Sequence, residues 1–244
     1  MNKNEFDFQN LKIGVIGCGH MGRAIALSLA RHGFPKQNLL ISYRGNPSTY
    51  AEIEKDGLLS CLSENQRIFG EAGMIFLTVK PQDMPLLGGA LHSGALVVSC
   101  AAGLPIELLE KIFHAETCRM MLSGPETVLG GRGVAAVYPS KDIVLQLLSF
   151  IDLRIFEVSS ENDLDIFTAG VCLPAALLKT GDKQKAHDAV VELGKEYPMF
   201  PKLYEWAERV LPTFSSDAQK EEYIKKMQTK GGITETIIRS LETG

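Results

Sequence analysis

Apolar and polar residues fall in blocks along the first two thirds of the chain, and successive blocks have the lengths of strands and helices in turn. Ile13, Val15 and Ile16 are apolar and β-branched and stop at Gly17, the pattern of a strand buried on both faces. Apolar runs at Asn38–Tyr43, Ala72–Val79 and Gly94–Cys100 predict further strands, and Thr117–Leu122 and Gly133–Tyr138 are weaker strand patterns. Between them, Arg23–His32 predicts a helix ended by Gly33, Ser48–Asp56 one closed by Gly57, and another begins near Pro105. Strands separated by helices predict an α/β fold with a doubly wound, mostly parallel sheet and right-handed crossovers. From about Asp163 no strand pattern remains. The segments 164–180, 184–196, 201–211, 217–228 and 232–242 all carry helical periodicity or composition. The expected division is an α/β domain over residues 1–160 and an all-helical domain over 161–244, with the boundary near Ser159–Asn162.

The stretch after the first strand adds chemistry to this pattern. Gly17-Cys18-Gly19-His20-Met21-Gly22 meets the G-x-G-x-x-G spacing between a strand and a helix. Gly17 suits the tight turn, Gly19 lets a pyrophosphate approach the backbone, and Gly22 lets helix pack closely on strand. The helix start offers free N–H groups and a partial positive charge to phosphates. The domain over 1–160 is thus expected to be a Rossmann-type, dinucleotide-binding unit. At the end of the second strand, where an NAD-binding unit usually places Asp or Glu, this chain has Ser42-Tyr43-Arg44-Gly45-Asn46. A carboxylate there would repel a 2′-phosphate, whereas the Ser42 hydroxyl and the Arg44 guanidinium would bind it, so NADPH is favoured over NADH.

Composition narrows the class. The chain of 244 residues is 45% hydrophobic and 22% charged, enough for a sizeable core in a soluble protein. The net charge of −4, with no basic run, argues against a nucleic-acid surface. No apolar run is long enough for a membrane span, and the polar N-terminus MNKNEFDFQN fits neither a signal nor a transit peptide. Five scattered cysteines (Cys18, Cys61, Cys100, Cys118, Cys172), none in a C-x-x-C pair, suggest neither a metal site nor a disulfide framework. A reducing cytoplasm is the expected setting.

A string of motifs in order then resembles the pyrroline-5-carboxylate reductase family over nearly the whole chain. Gly17–Gly22 with Ala24-Ile25 resembles the family's G-x-G-x-M-G-x-A-I. Thr78-Val79-Lys80-Pro81-Gln82 resembles its V-K-P-Q, Ser99-Cys100-Ala101-Ala102-Gly103 its S-x-A-A-G, and Gly231-Gly232-Ile233-Thr234 its G-G-x-T. The resemblance implies an NADP-dependent oxidoreductase that reduces a cyclic imine, pyrroline-5-carboxylate, to proline. The cofactor would lie along Gly17, Cys18, Gly19, His20, Met21, Gly22, Ser42, Arg44, Asn65, Thr78, Val79, Lys80, Pro81, Cys100, Ala101, Ala102 and Gly103. It further implies a substrate carboxylate held by Thr229, Gly231, Gly232 and Thr234, with Thr234 and Lys80 as the catalytic pair and Thr234 beside the imine nitrogen. The helical domain would form a homodimer. Each of these residues also has a plainer role open to it: Asn65 as a helix cap, Lys80 as an exposed strand-end lysine, Gly231-Gly232 as the start of the last helix.

The chain departs from the family where substrate is expected. Met121-Leu122-Ser123-Gly124-Pro125 stands for M-P-N-T-P, Ala169-Gly170-Val171-Cys172-Leu173-Pro174-Ala175 for the S-G-S-G-P-A that opens the helical domain's first long helix, and Thr229-Lys230 for S-P. These changes leave open a reductase of another imine or keto substrate, a nucleotide-binding accessory protein with a decayed substrate site, and, more distantly, a deazaflavin-dependent reductase.

Overall fold

A computed structural model describes residues 10–180, 183–211 and 213–227. The chain divides between Glu161 and Asn162 into two units.

The first unit is built on a seven-stranded sheet. Its strands are β1 (Ile13–Ile16), β2 (Leu39–Ser42), β3 (Met74–Leu77), β4 (Leu96–Ser99), β5 (Thr117–Leu122), β6 (Val134–Tyr138) and β7 (Arg154–Phe156), in the order β2-β1-β3-β4-β5-β6-β7. The first five strands run parallel, with Gly14 opposite both Leu40 and Ile75, and Leu77 opposite Ser99. The sheet then reverses: β6 is antiparallel to β5, and β7 follows β6 in parallel. β7 is the strand that the hydrophobic pattern misses, because three residues running from exposed to buried leave almost no periodicity to read.

Side chains alternate between the two faces of the sheet and feed two apolar layers. Ile13, Val15, Phe76, Val98 and Met120 pack on one side with α1 (His20–Arg31), while Ile16, Ile75, Leu77 and Val97 pack on the other with residues of the helix Asn65–Glu71. Burial on both faces is why β1 to β4 read as unbroken apolar runs. The remaining helices of this unit are α2 (Pro47–Lys55), α3 (Asn65–Glu71), α4 (Ile106–Phe113), α5 (Pro125–Leu129) and α6 (Asp142–Phe150). α2 starts one residue before the predicted Ser48: Pro47 takes the first position and the Asn46 side chain accepts from the Ser48 N–H at 2.9 Å. α1 begins three residues earlier than the sequence pattern predicts, since its first turn makes no demand for intrahelical donors and tolerates Gly22.

The second unit is helical: α7 (Asn162–Thr180), α8 (Lys183–Glu196), α9 (Met199–Val210) and α10 (Asp217–Met227). Leu164, Phe167 and Leu203 are fully buried, and Val190, Phe200 and Tyr204 form a small core with Ile166, Ala169 and Tyr197. A Cβ on Gly170 would lie 3.2 Å from Leu203 Cδ1, so this glycine sets the close approach of α7 to α9. The predicted helix over 232–242 lies outside the described residues.

Candidate cofactor-binding site

Because β1 to β4 are parallel and adjacent, the loops leaving their carboxyl ends gather along one edge of the sheet, where a doubly wound fold takes its ligands. The turn after β1 is the most tightly specified of them. Gly17 has φ of +95°, and a Cβ there would lie 2.5 Å from Val79 Cγ1. The N–H groups of Gly17 and Cys18 both donate to the Ser42 carbonyl, at 3.2 and 2.7 Å, which ties the turn to the end of β2. From the other side Thr78 clamps it. Its N–H donates to the Ile16 carbonyl at 2.9 Å, and its hydroxyl lies 2.8 Å from the Gly17 carbonyl and 3.1 Å from that of Ile16. A Cβ on Gly22 would collide with Thr78 Oγ1 and lie 2.6 Å from the Gly17 carbonyl oxygen.

Gly19 is different. It has an ordinary negative φ of −81°, and a Cβ there would meet only the Gly17 carbonyl oxygen, at 3.9 Å. Among the described residues nothing crowds a side chain at this position, and the open space lies beside the first turn of α1. That turn has no capping side chain and no acidic residue, so its N–H groups and the positive end of the helix dipole face outward. The arrangement accepts an anion whose oxygens approach the backbone closely. Arg23 takes no part, being paired with Asp56 at 2.5 Å and Glu52 at 3.1 Å. The Cys18 side chain is fully buried and its thiol is pushed up to about 12, chiefly by burial, so only its backbone belongs to the cradle. His20 is exposed.

β2 ends at Ser42, which is buried, and the loop after it carries Arg44, which is exposed. Ser42 Oγ donates to Asn65 Oδ1 at 2.6 Å, so the two polar groups that the sequence singles out on this side hold each other. Asn65 is the first residue of α3, with Glu64 before it as the flanking residue, and it makes no cap there. Arg44 forms an ion pair with Asp83, a residue of the 3₁₀ segment Pro81–Leu86 that follows β3. Asp83 escapes notice in the sequence because only the fold brings it to Arg44.

The loops after β3 and β4 lie side by side. Cys100 N–H donates to the Leu77 carbonyl at 2.9 Å, Ala101 is buried, and Gly103 turns the chain with φ of +74°. Burial raises the Cys100 thiol well above its ordinary value, which keeps it neutral. Lys80 is exposed at the start of the 3₁₀ turn, and its carbonyl accepts the Asp83 N–H at 2.9 Å. Among the described residues no three His, Cys, Asp or Glu side chains cluster as a metal site requires, and no helix is long and apolar enough to cross a membrane.

The segments that depart from the family pattern have structural work in this fold. Ser123 is buried, accepts the Val134 N–H at 3.0 Å and meets Thr127 Oγ1 at 2.8 Å, which fastens the β5 end to β6. The segment 169–175 lies within α7, well past its start, and its Gly170 serves the contact with Leu203. Thr229, Gly231, Gly232 and Thr234 lie outside the described residues.

The model of the family described as NADP oxidoreductase coenzyme F420-dependent matches residues 12–103, the stretch that contains every loop of this edge. Pyrroline-5-carboxylate reductase 1 of Bacillus spizizenii is 24% identical over 172 residues, covering 66% of this chain and 58% of that protein. Pyrroline-5-carboxylate reductase of Pisum sativum is 31% identical over 152 residues, covering 57% and 54%. The chain therefore spans about half of the length of the curated relatives it matches, from 49% to 58%. The crystal structure of Plasmodium falciparum pyrroline carboxylate reductase with NADP bound shares the fold, with a TM-score of 0.54 at 20% identity, covering 96% of this chain and 97% of that one. This chain is thus similar to pyrroline-5-carboxylate reductases over part of their length, and the family-model match falls within its first unit.

Proposed function

We propose that the chain reduces a cyclic imine carboxylate, in the first instance pyrroline-5-carboxylate to proline, with NADPH preferred over NADH. The observation that carries this reading is the cradle at Gly17–Gly22: a turn locked by Thr78 and Val79, with an open face only at Gly19 beside uncapped N–H groups. A cradle of that shape fits the diphosphate of a dinucleotide. The backbone of Gly17, Cys18, Gly19, His20, Met21 and Gly22 would hold it. Ser42, Arg44 and Asn65 would face the adenosine side, and Thr78, Val79, Lys80, Pro81, Cys100, Ala101, Ala102 and Gly103 would line the nicotinamide side. When bound, the nicotinamide supplies the hydride.

The protein's own task is then positioning. Thr229, Gly231, Gly232 and Thr234 would receive the substrate carboxylate, with the Thr234 hydroxyl as hydrogen-bond partner of the imine nitrogen and Lys80 as a nearby cation. Holding the imine carbon against the nicotinamide face can remove several kcal/mol of barrier, on the order of what oriented intramolecular reactions gain, with no strong acid or base. The second unit would form a homodimer in the cytoplasm.

Steady-state reduction of pyrroline-5-carboxylate by the purified chain, with NADPH and NADH in parallel, tests this directly. The expected result is turnover with both and a higher kcat/KM for NADPH. Thr234→Ala is expected to lower kcat at least tenfold and Lys80→Ala to lower kcat/KM. Full activity in both variants overturns the assignment of residues.

A second reading has an observation behind it. Ser123 and Gly170 stand in segments where the family carries substrate-side motifs, and here they serve strand pairing and helix packing. A nucleotide-binding accessory protein, or a reductase of another imine or keto acid, would have that character. Binding of NADPH without turnover of pyrroline, piperideine or keto-acid substrates identifies the first; turnover of another member of the panel identifies the second.

A further inference from the structure

We propose that Asp83 limits how strongly this site prefers a 2′-phosphorylated dinucleotide, by holding the Arg44 guanidinium in competition with that phosphate. The inference rests on the cofactor reading above and adds to it a residue that works against the cation on which the preference depends. Arg44 follows β2 and Asp83 follows β3; β1 lies between those two strands in the sheet, so the residues meet only across the turn that follows β1. There Arg44 Nη2 pairs with Asp83 Oδ2.

The two partners are unequally placed. The Asp83 side chain is 15% exposed and sits on a turn whose next residue, Met84, is fully buried. The Arg44 side chain is 68% exposed. The carboxylate is thus the fixed partner and the guanidinium the reachable one.

A phosphate on the ribose brings a charge of about −1.5 to −2 to this edge. Arg44 then meets it already neutralised by a carboxylate. Either the guanidinium leaves Asp83, or it binds both anions at once and the two repel across it. A dinucleotide with a free 2′-hydroxyl meets no such cost, because a carboxylate readily accepts a hydrogen bond from a hydroxyl. Asp83 therefore pulls the site toward accepting both cofactors, although it comes from a different strand end than the acidic residue of an NAD-binding unit.

The size of the effect follows from the exposure of the pair. Exposed ion pairs are weak, and removing a fixed negative charge beside a phosphate adds to the gain from freeing the guanidinium, so Asp83→Asn should tighten NADP⁺ about three- to tenfold. The gain should shrink as salt is raised, because the interaction is exposed to screening.

The test is calorimetric titration of NADP⁺ and NAD⁺ into the wild-type chain, Asp83→Asn, Arg44→Ala and the double variant, at low and at high salt. The expected result is tighter NADP⁺ binding by Asp83→Asn, NAD⁺ binding changed less than about twofold, and a smaller gain from Asp83→Asn in the Arg44→Ala background than in the wild-type chain. Unchanged or weaker NADP⁺ binding by Asp83→Asn, in a protein whose wild type does bind NADP⁺, overturns this inference and leaves the cofactor reading standing. A wild type that binds neither nucleotide overturns both.

Discussion

Glycines at three places in one turn do three different things, and substitution should separate them. Gly22 is held by protein atoms on all sides, and Gly22→Ala forces Thr78 or the Gly17 carbonyl to move. Overpacking of this kind costs about 1–3 kcal/mol, so thermal unfolding is expected to drop by several degrees. Gly19→Ala meets nothing closer than 3.9 Å. Its melting temperature should stay within about 2–4 °C of wild type, since only a small capping preference is lost, while nucleotide affinity falls at least tenfold. Calorimetry and scanning fluorimetry on the pair decide the matter: equal losses of stability would mean that Gly19 is structural too. Thiol chemistry offers a second check at this scale. Cys18 and Cys118 are pushed from 9.0 up to about 12, chiefly by burial, so the folded chain binds protons that the unfolded chain releases above pH 9. Their contribution to stability is therefore complete below pH 9 and is lost as the pH rises from about 9 toward 12. Denaturant midpoints across that range should fall, and mapping of alkylated cysteines at pH 8 should find these two protected until the chain unfolds.

Helices and strands in the first unit are fastened to one another by a few charged groups whose partners lie far apart in sequence. Glu71, at the end of α3, accepts from Lys12 Nζ at 2.6 Å and from Arg67 Nε at 2.8 Å, which ties that helix to the chain entering β1. These two cations hold its carboxyl down to about 2, the hydrogen bond from Arg67 contributing most. The interaction stabilises the fold in full above the ordinary carboxylate range and is lost as the pH falls from about 4.5 to 2. Being exposed, it should weaken in high salt, and an acid-denaturation midpoint that Glu71→Gln leaves unmoved would contradict this account. Deeper in the unit, the buried Arg119 of β5 meets Glu161 Oε1 at 2.8 Å, and the same oxygen accepts the first N–H of α4, from Ile106, at 3.0 Å. One carboxylate thus serves a buried cation and a helix start. Glu161→Ala should cost about 2–4 kcal/mol, more than an exposed pair would, readable as a shift in the urea midpoint without a change in slope.

At the scale of the whole molecule the two units present different problems. The sheet of the first unit is packed on both faces, although Leu86 beside it is 80% exposed; in the second unit, α8 leaves Val191 and Leu193 with 52% and 38% of their surface exposed. An exposed apolar side chain such as Val191 suits a contact with a second copy, which is the partner that the proposed homodimer supplies. Sedimentation equilibrium should return the mass of two chains, and Val191→Glu should return the mass of one while leaving the melting of the first unit in place. A wild-type chain that sediments as a monomer removes the homodimer from the proposal.

Sequence alone was enough for the parts of this protein that depend on near neighbours. The apolar runs of β1 to β4, the helix closed by Gly57 and the glycine spacing of the first turn each involve residues a few positions apart, so pattern and steric rules reach them. Tertiary structure decided what depends on residues brought together from a distance. It turned β6 against β5, added β7 at the edge, closed Thr78 over Gly17 and Gly22, set Ser42 against Asn65, and placed Asp83 beside Arg44. Those choices follow from burying two faces of one sheet at once and finding partners for the polar groups at its edge, conditions that no window along the chain contains.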